Sequence, residues 1–330
     1  MGIGWSARLA GVVAAALLVG SGSAGAAQGR RRGGAGRAGG PGEAGGGVPT
    51  LEAARALIAA EKPAKATVLV HGGTYSESVL WRGTPAGSSI TIAPQPGAGD
   101  VVFDGRKAAG YWVQVAPESG TLTFRGPMTV RRHGDAGVRA VGTAADGPVR
   151  DLTVRGLTFA QIGNAWAPGG GGYAGVHLNH ATGARITGNS FRNLENTRCP
   201  GCAHGVHLAF NLGDRTAGSD RNTVDGNTFQ AISGDPVRAS DGSGANVVRD
   251  NVFRSGTAHD GERRGTGRYG IFSYWSFERA DVCARAVNTF SGNRYGDGYH
   301  GERVPAAPTG SATGRSCDSV RESGTNTHRP

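Results

Sequence analysis

Beyond Val19 the chain has no apolar run that approaches the ~20 residues needed to cross a bilayer, which argues against a membrane span in the remainder. Cysteine is scarce, with only Cys199, Cys202, Cys283 and Cys317 present. Cys199 and Cys202 share a C-P-G-C loop. No strand–helix–strand pattern surrounds it, which excludes a thioredoxin-like redox site, and four scattered thiols make a poor zinc set. No recognised nucleic-acid-binding module is present either, so nucleic acid is not an expected partner despite a formal net charge of +10. Outside one N-terminal segment, apolar residues at helical spacing are missing, which excludes the helical solenoids.

What is present begins with export. Arg8 precedes an apolar stretch from Leu9 to Val19, and Ala24-Gly25-Ala26 fits a small-residue cleavage site. This layout is that of a signal peptide, expected over residues 1–27, and it places the protein outside the cell. Residues 28–48 are almost entirely Gly, Ala and Arg, a flexible leader that cannot bury enough apolar surface to order itself. Residues 1–48 carry +4 of the net charge, leaving about +6 for the rest and favouring anionic partners. In an exported protein four cysteines suggest two disulfides with three possible pairings, of which Cys199–Cys202 with Cys283–Cys317 is favoured.

With 59 glycines and short apolar stretches, the chain invites a search for internal repeats. Four segments align without gaps: Ala174–Asn179, His204–Ala209, Asp235–Ser240 and Tyr269–Tyr274. A second set reads Ile186–Phe191, Val224–Phe229 and Val248–Phe253, with Leu152–Phe159 upstream and Phe290–Tyr295 downstream as related copies. Apolar residues alternate at spacing two, as in strands. Each unit is too short to bury its own apolar face, so the copies must stack. Val176, Val206, Val237 and Ile271 are expected to form an inward aliphatic ladder, and Phe191, Phe229 and Phe253 an aromatic one. Asn189, Asn227 and Asn251 mark a recurring turn, where Asn tolerates left-handed angles and bonds to the next copy.

The expected fold is therefore an all-β right-handed parallel β-helix spanning residues 49–300, with a loosely ordered tail over 301–330. A short helix over Thr50 to Lys62, with Leu51, Ala54, Leu57 and Ile58 on one face, caps the open end. Thr67-Val-Leu-Val-His-Gly-Gly-Thr-Tyr75, Ser89–Ala93 and Val101–Gly105, together with the later G-N-S-F, G-N-T-F and D-N-V-F copies, resemble the pectate-lyase-like β-helix superfamily. The resemblance covers about 230 residues. It implies the fold, and it leaves open lyases, hydrolases, epimerases, tailspikes and adhesins.

In the first repeat set the residue after the inward aliphatic faces outward, which reads His177, His207, Arg238 and Phe272. His204, Asp235 and Tyr269 fall at the preceding corner, and Tyr274 and Trp275 beyond. Aromatic faces beside polar groups suit sugar binding, assigned here to His177, Phe272, Tyr274 and Trp275. For β-elimination from a uronic acid, a base removes the proton α to the carboxylate while positive charge stabilises the developing anion. His207 or His204 suits the base, Arg238 the carboxylate clamp or the base, Asp235 the orientation of Arg238 or the binding of a cation, and Tyr269 the proton donor. Lyases of the resembled superfamily often use an Arg or Lys as base, which keeps Arg238 a candidate for either role.

Calcium is conceivable, but Asp214, Asp220, Asp225, Asp235 and Asp241 are too dispersed to define a site, so no metal ligand and no certain cofactor is assigned. Gly169 to Gly172 forms a loop without phosphate-binding context. The expectation is thus a secreted monomer acting on an acidic polysaccharide or envelope glycan, as a polysaccharide lyase. The alternatives are a glycoside hydrolase of the same fold, which lacks its paired acidic motif, and a non-catalytic glycan-binding β-helix.

Overall fold

Stacked in-register copies are the only way such short strands can hide their apolar faces, and the chain adopts that solution as a right-handed parallel β-helix. The computed structural model describes residues 47–108, 110–164, 166–167, 172–254, 271–275, 286–296 and 319–328, plus the backbone of 13–18; at 275 and 328 only the backbone is described. Every pairing between strands among these residues is parallel, and one strand from each coil contributes to each face. One helix, Leu51–Glu61, closes the N-terminal end. The Thr50 side chain accepts from Ala53 N at 3.0 Å, and Leu51, Ala54 and Ile58 are buried. Leu57, expected on the apolar face, is instead exposed. The backbone of Val13–Leu18 pairs with Lys65–Val70, adding a strand from within the segment expected to be removed on export.

One sheet matters most for function. Its strands run Val79–Trp81, Tyr111–Val115, Ala136–Val141, Tyr173–Asn179, Ala203–Ala209, Val237–Ser240 and Phe272–Trp275, each beside the next. Val176, Val206 and Val237 stack inward as expected and Val138 extends the ladder by one rung, but the rung after Val237 is filled by Phe272 rather than Ile271. On the opposite side of the core Phe159, Phe191, Phe229 and Phe253 stack at 5.1, 4.8 and 4.9 Å. This aromatic ladder explains a glycine at one position of three successive site-sheet strands. A Cβ on Gly137, Gly175 or Gly205 would stand 2.4–2.6 Å from the ring of Phe159, Phe191 or Phe229.

The asparagines form a second continuous element. Asn189 N and Nδ2 donate to Asn227 Oδ1, and the pattern repeats from Asn227 to Asn251, Asn293 and Asn326. The left-handed angle, however, belongs to the residue before each of the first four Asn: Gly188, Gly226, Asp250 and Gly292 have φ of 62, 62, 55 and 64°. The Asn side chains face inward and are fully bonded, which is why they are buried without penalty. A further ladder, Asn222–Asn246–Asn288, runs in parallel.

Replacing Asn227 by Ala deprives the Asn189 amides of their acceptor and leaves Ile186 O without its donor. At ~1–3 kcal/mol per stranded buried group, we expect a loss of about 3 kcal/mol or more in urea denaturation. The same change at the ladder's half-buried end, Asn326, is expected to cost much less; equal costs would disprove a cooperative ladder.

The coil also continues past its expected end. Val320–Glu322 and Thr327–His328 pair with Asn288–Ser291 and Arg294–Tyr295, so these residues form a rung where a loose tail was expected.

Candidate functional site

Alternation sends every second side chain of the site sheet outward, and register stacks these into a column. The column reads Gln114, Arg139, His177, His207, Arg238 and Ser273. Adjacent rungs are about 4.8 Å apart, so the two imidazoles lie between two guanidiniums. The His177 and His207 rings stack at 4.6 Å and 10°, and His204 leans against His207 at 5.1 Å and 57°. The seven strands carry no Asp or Glu.

Burial grades along the column. Gln114, Arg139 and His177 are half-buried, His207 and Arg238 are buried, and Ser273 is fully so. The cover at the deep end comes from the Cys199–Cys202 loop, whose disulfide is one of the two expected; Cys283 and Cys317 lie outside the described residues. Asn196 Oδ1 accepts from the Arg198 and Cys199 amides and shapes this loop. Arg238 Nη2 donates to Gly201 O in it at 3.0 Å, and Arg238 Nε and Nη2 both donate to Asp235 Oδ2 at 3.0 and 2.7 Å. Asp235 does orient Arg238, as expected. The pair is sealed between the strand and the loop, however, so the Arg238 fork is already occupied by protein acceptors.

Arg139 contrasts with it. It forms no ion pair with any described residue, and its buried Nε has no acceptor. Sequence alone does not single it out, because its strand, Ala136–Val141, lies far from the aligned repeats, with loops of different length between. The A-G-V triplet of Ala136-Gly137-Val138, shared with Ala174-Gly175-Val176, was the available signal.

The histidines are uncharged at neutral pH. Burial above all, with the Arg139 charge second, holds His177 down to about 3. Burial likewise pushes His207 and His204 well below the usual imidazole range, helped at His207 by its neighbours His177, His204 and Arg238 and at His204 by Arg238. His204 Nδ1 is hydrogen-bonded to Asp235 O at 2.8 Å and His207 Nε2 to Ser240 Oγ at 3.3 Å. His177 Nε2, His204 Nε2 and His207 Nδ1 have no partner among the described residues. Gly172, last of the glycine run, lies over both rings; a Cβ there would be 2.9 Å from His207 Nδ1.

Two expected sugar-binding rings are not in the column. The strand at Phe272–Trp275 is set one residue from the sequence alignment, pairing Phe272 with Val237 and Ser273 with Arg238. A shift of one exchanges the two faces of a strand, so Phe272 and Tyr274 are both core residues, and Tyr274 Oη accepts from Gly242 N. Tyr269 and the Trp275 side chain lie outside the described residues. Among the described residues no three His, Cys, Asp or Glu side chains converge on a point where a metal ion could sit, and Asp235 is already bound to Arg238.

No protein-family model and no curated protein matches the chain. Solved structures do. An alginate lyase from Paenibacillus sp. strain FPU-7 aligns with a TM-score of 0.53 and 16% identity, over 84% of this chain and 92% of that one. The enzymatically active domain of bacteriophage CBA120 tailspike protein 2 aligns with a TM-score of 0.39 at 13% identity, over 80% and 35%. The catalytic unit of a GH87 α-1,3-glucanase from Streptomyces thermodiastaticus strain HF3-3 aligns with a TM-score of 0.30 at 12% identity, over 83% and 65%. At such identities the likeness establishes the fold alone.

Proposed function

We propose that the protein is an exported polysaccharide lyase that cleaves an acidic, uronic-acid-containing polysaccharide by β-elimination, and that it works as a monomer. The observation that carries this reading is the column itself: a half-buried guanidinium with no carboxylate partner among the described residues, one rung from a neutral imidazole whose buried Nε2 has no partner among them either. In this reading Arg139 clamps the substrate carboxylate, taking the role the sequence suggested for Arg238. His177 then accepts the α-proton, taking the role suggested for His207 or His204. The reason is reach. A base must lie next to the carboxylate whose α-carbon it deprotonates, and the guanidinium still able to receive that carboxylate is on the Arg139 rung.

The chemistry balances within the column. The proton α to the carboxylate passes to His177, its electron pair forms a carbon–carbon double bond, and the bond to the leaving oxygen breaks. The imidazolium so formed returns the proton to that oxygen. A bound carboxylate also offsets the Arg139 charge, one of the two causes that depress His177, and so makes the ring more basic when substrate is present. His207 and His204 position His177 from beneath. Among the described residues the site-sheet strands carry no carboxylate, and Asp235 beside them is taken up by Arg238, which supports elimination over hydrolysis, a reaction that needs an acidic pair. That an alginate lyase shares the fold is consistent with this reading.

A second reading, a glycan-binding β-helix that does not cut, is favoured by the disulfide loop sealed over Arg238 and Asp235. Incubation with a panel of polyuronates and glycosaminoglycans, followed by ultraviolet absorbance, separates the two. Wild type is expected to generate unsaturated ends on at least one polymer. Arg139→Gln is expected to reduce kcat/KM about 100-fold, through lost charge stabilisation of ~2–3 kcal/mol. No absorbance and no new reducing ends across the panel, with the polymer still bound, would establish the non-catalytic reading instead.

A further inference from the structure

The faces turned away from the site sheet carry a second concentration of charge. Arg125 and Arg155 are both exposed and stand in register on adjacent parallel strands. Arg185 and Arg192, also exposed, occupy the following coil, beside Thr153 and Ala160 respectively. None of these four guanidiniums makes an ion pair or hydrogen bond with a described residue. Two other cations on the same faces are matched, Arg131 by Asp104 at 2.9 Å and Arg249 by Asp225 at 3.3 Å, while Arg254 and Arg294, two coils or more away from Arg192, also make no ion pair with a described residue.

Like charges facing each other across adjacent strands are destabilising, and here the register sets Arg125 against Arg155, with Arg185 and Arg192 on the next coil. The carboxylates bordering them are Asp151, beside Gly183, and Asp225, one rung beyond Thr187 and held by Arg249. The outward positions between them are hydroxyls, Thr158, Thr187 and Ser190. Among the described residues the exposed large hydrophobics are Leu57 and Leu212, and no aromatic ring is exposed on these faces.

We propose that this Arg-rich surface is a second binding face, for a linear acidic polysaccharide. Guanidinium forks match carboxylates, and the interleaved Thr and Ser hydroxyls match sugar hydroxyls. Among the described residues no exposed aromatic ring gives these faces the stacking platform on which single-stranded nucleic acids depend. The face anchors the polymer while the histidine column works on, or merely holds, another part of it. The inference shares a polymer class with the proposed function and does not depend on cleavage.

The test is binding of the full chain to long-chain polygalacturonate and alginate at ~50 mM and ~200 mM salt, with single-stranded DNA as the competing polyanion. Wild type, the triple variant Arg125→Gln/Arg155→Gln/Arg192→Gln and Arg55→Gln, which removes a charge from the capping helix, are compared, with thermal melting to confirm that each is folded. The triple variant is expected to bind the polyuronate at least 10-fold more weakly and with a shallower salt dependence, while Arg55→Gln binds as wild type does. Full affinity in the triple variant, an equal loss in Arg55→Gln, or equal wild-type affinity for DNA would each overturn the proposal. Should the triple variant lose binding while no polymer is cleaved, the face stands and the lyase reading falls. Cleavage by wild type together with undiminished binding in the triple variant means the opposite: the lyase reading stands and the second face falls.

Discussion

Replacing His177 by Gln is expected to slow formation of the unsaturated product by about 10²–10⁴-fold, the range contributed by a positioned general base, with little change in KM. Gln preserves polarity and approximate size but cannot accept a proton, so the carboxylate still docks on Arg139. His207→Gln is expected to cost about 10-fold, because His207 acts through its 4.6 Å stack with His177 rather than on the substrate. Initial rates on the responsive polymer, with a thermal melt of each variant, check both. If the order is reversed, the base is His207 and the carboxylate must reach deeper than the present cover allows. Arg238 is less informative here, since removing it would strand the buried Asp235 charge and report on folding instead.

The second large effect is loss of stability in mild acid. In the unfolded chain each histidine takes up a proton near 6.5. In the fold, His177 is depressed to about 3 and His133 to about 4, while His204 and His207 are held well below the ordinary range, in every case mainly by burial. Below pH 6.5 the unfolded state therefore binds more protons than the folded one, and stability falls as the pH drops. The loss is ~1.4 kcal/mol per pH unit for each such histidine, and it continues until the folded-state values are reached. Above pH 7 the same groups contribute no pH dependence. Melting temperatures at pH 7.0, 5.5 and 4.5 are expected to decline steeply. A His177→Phe/His207→Phe variant, which keeps the ring stack, is expected to flatten the decline. A flat wild-type profile would mean that these imidazoles charge freely within the fold.

Both expectations depend on features that differ in how far the sequence reveals them. The stacked architecture is legible because a ladder repeats one residue type at one position in each coil: Val176, Val206 and Val237, Phe191, Phe229 and Phe253, and Asn189, Asn227 and Asn251 all fall where their spacing puts them. The Asn222–Asn246–Asn288 ladder was equally legible, since each of its members stands five residues before Asn227, Asn251 or Asn293 in a shared N-x-(V/F)-x-(G/D)-N pattern. The outward column was legible only as far as the alignment was gapless. At Tyr269–Tyr274 a slip of one residue put Phe272 and Tyr274 on the wrong face, since strand periodicity gives no warning of a single-residue change in loop length.

By itself the sequence determined the coil, its ladders, its helical cap and the positions of His177 and His207, because these follow from local alternation and repetition. Only the tertiary structure decided which polar groups remain available. It brought Arg139 beside His177 across 38 residues of chain, closed the Cys199–Cys202 loop over Arg238 and Asp235, and left Arg125 and Arg155 facing each other with no ion pair to any described residue. The physical reason is that availability is a property of neighbours from other coils, whose identity depends on loop lengths and register rather than on any one segment's pattern.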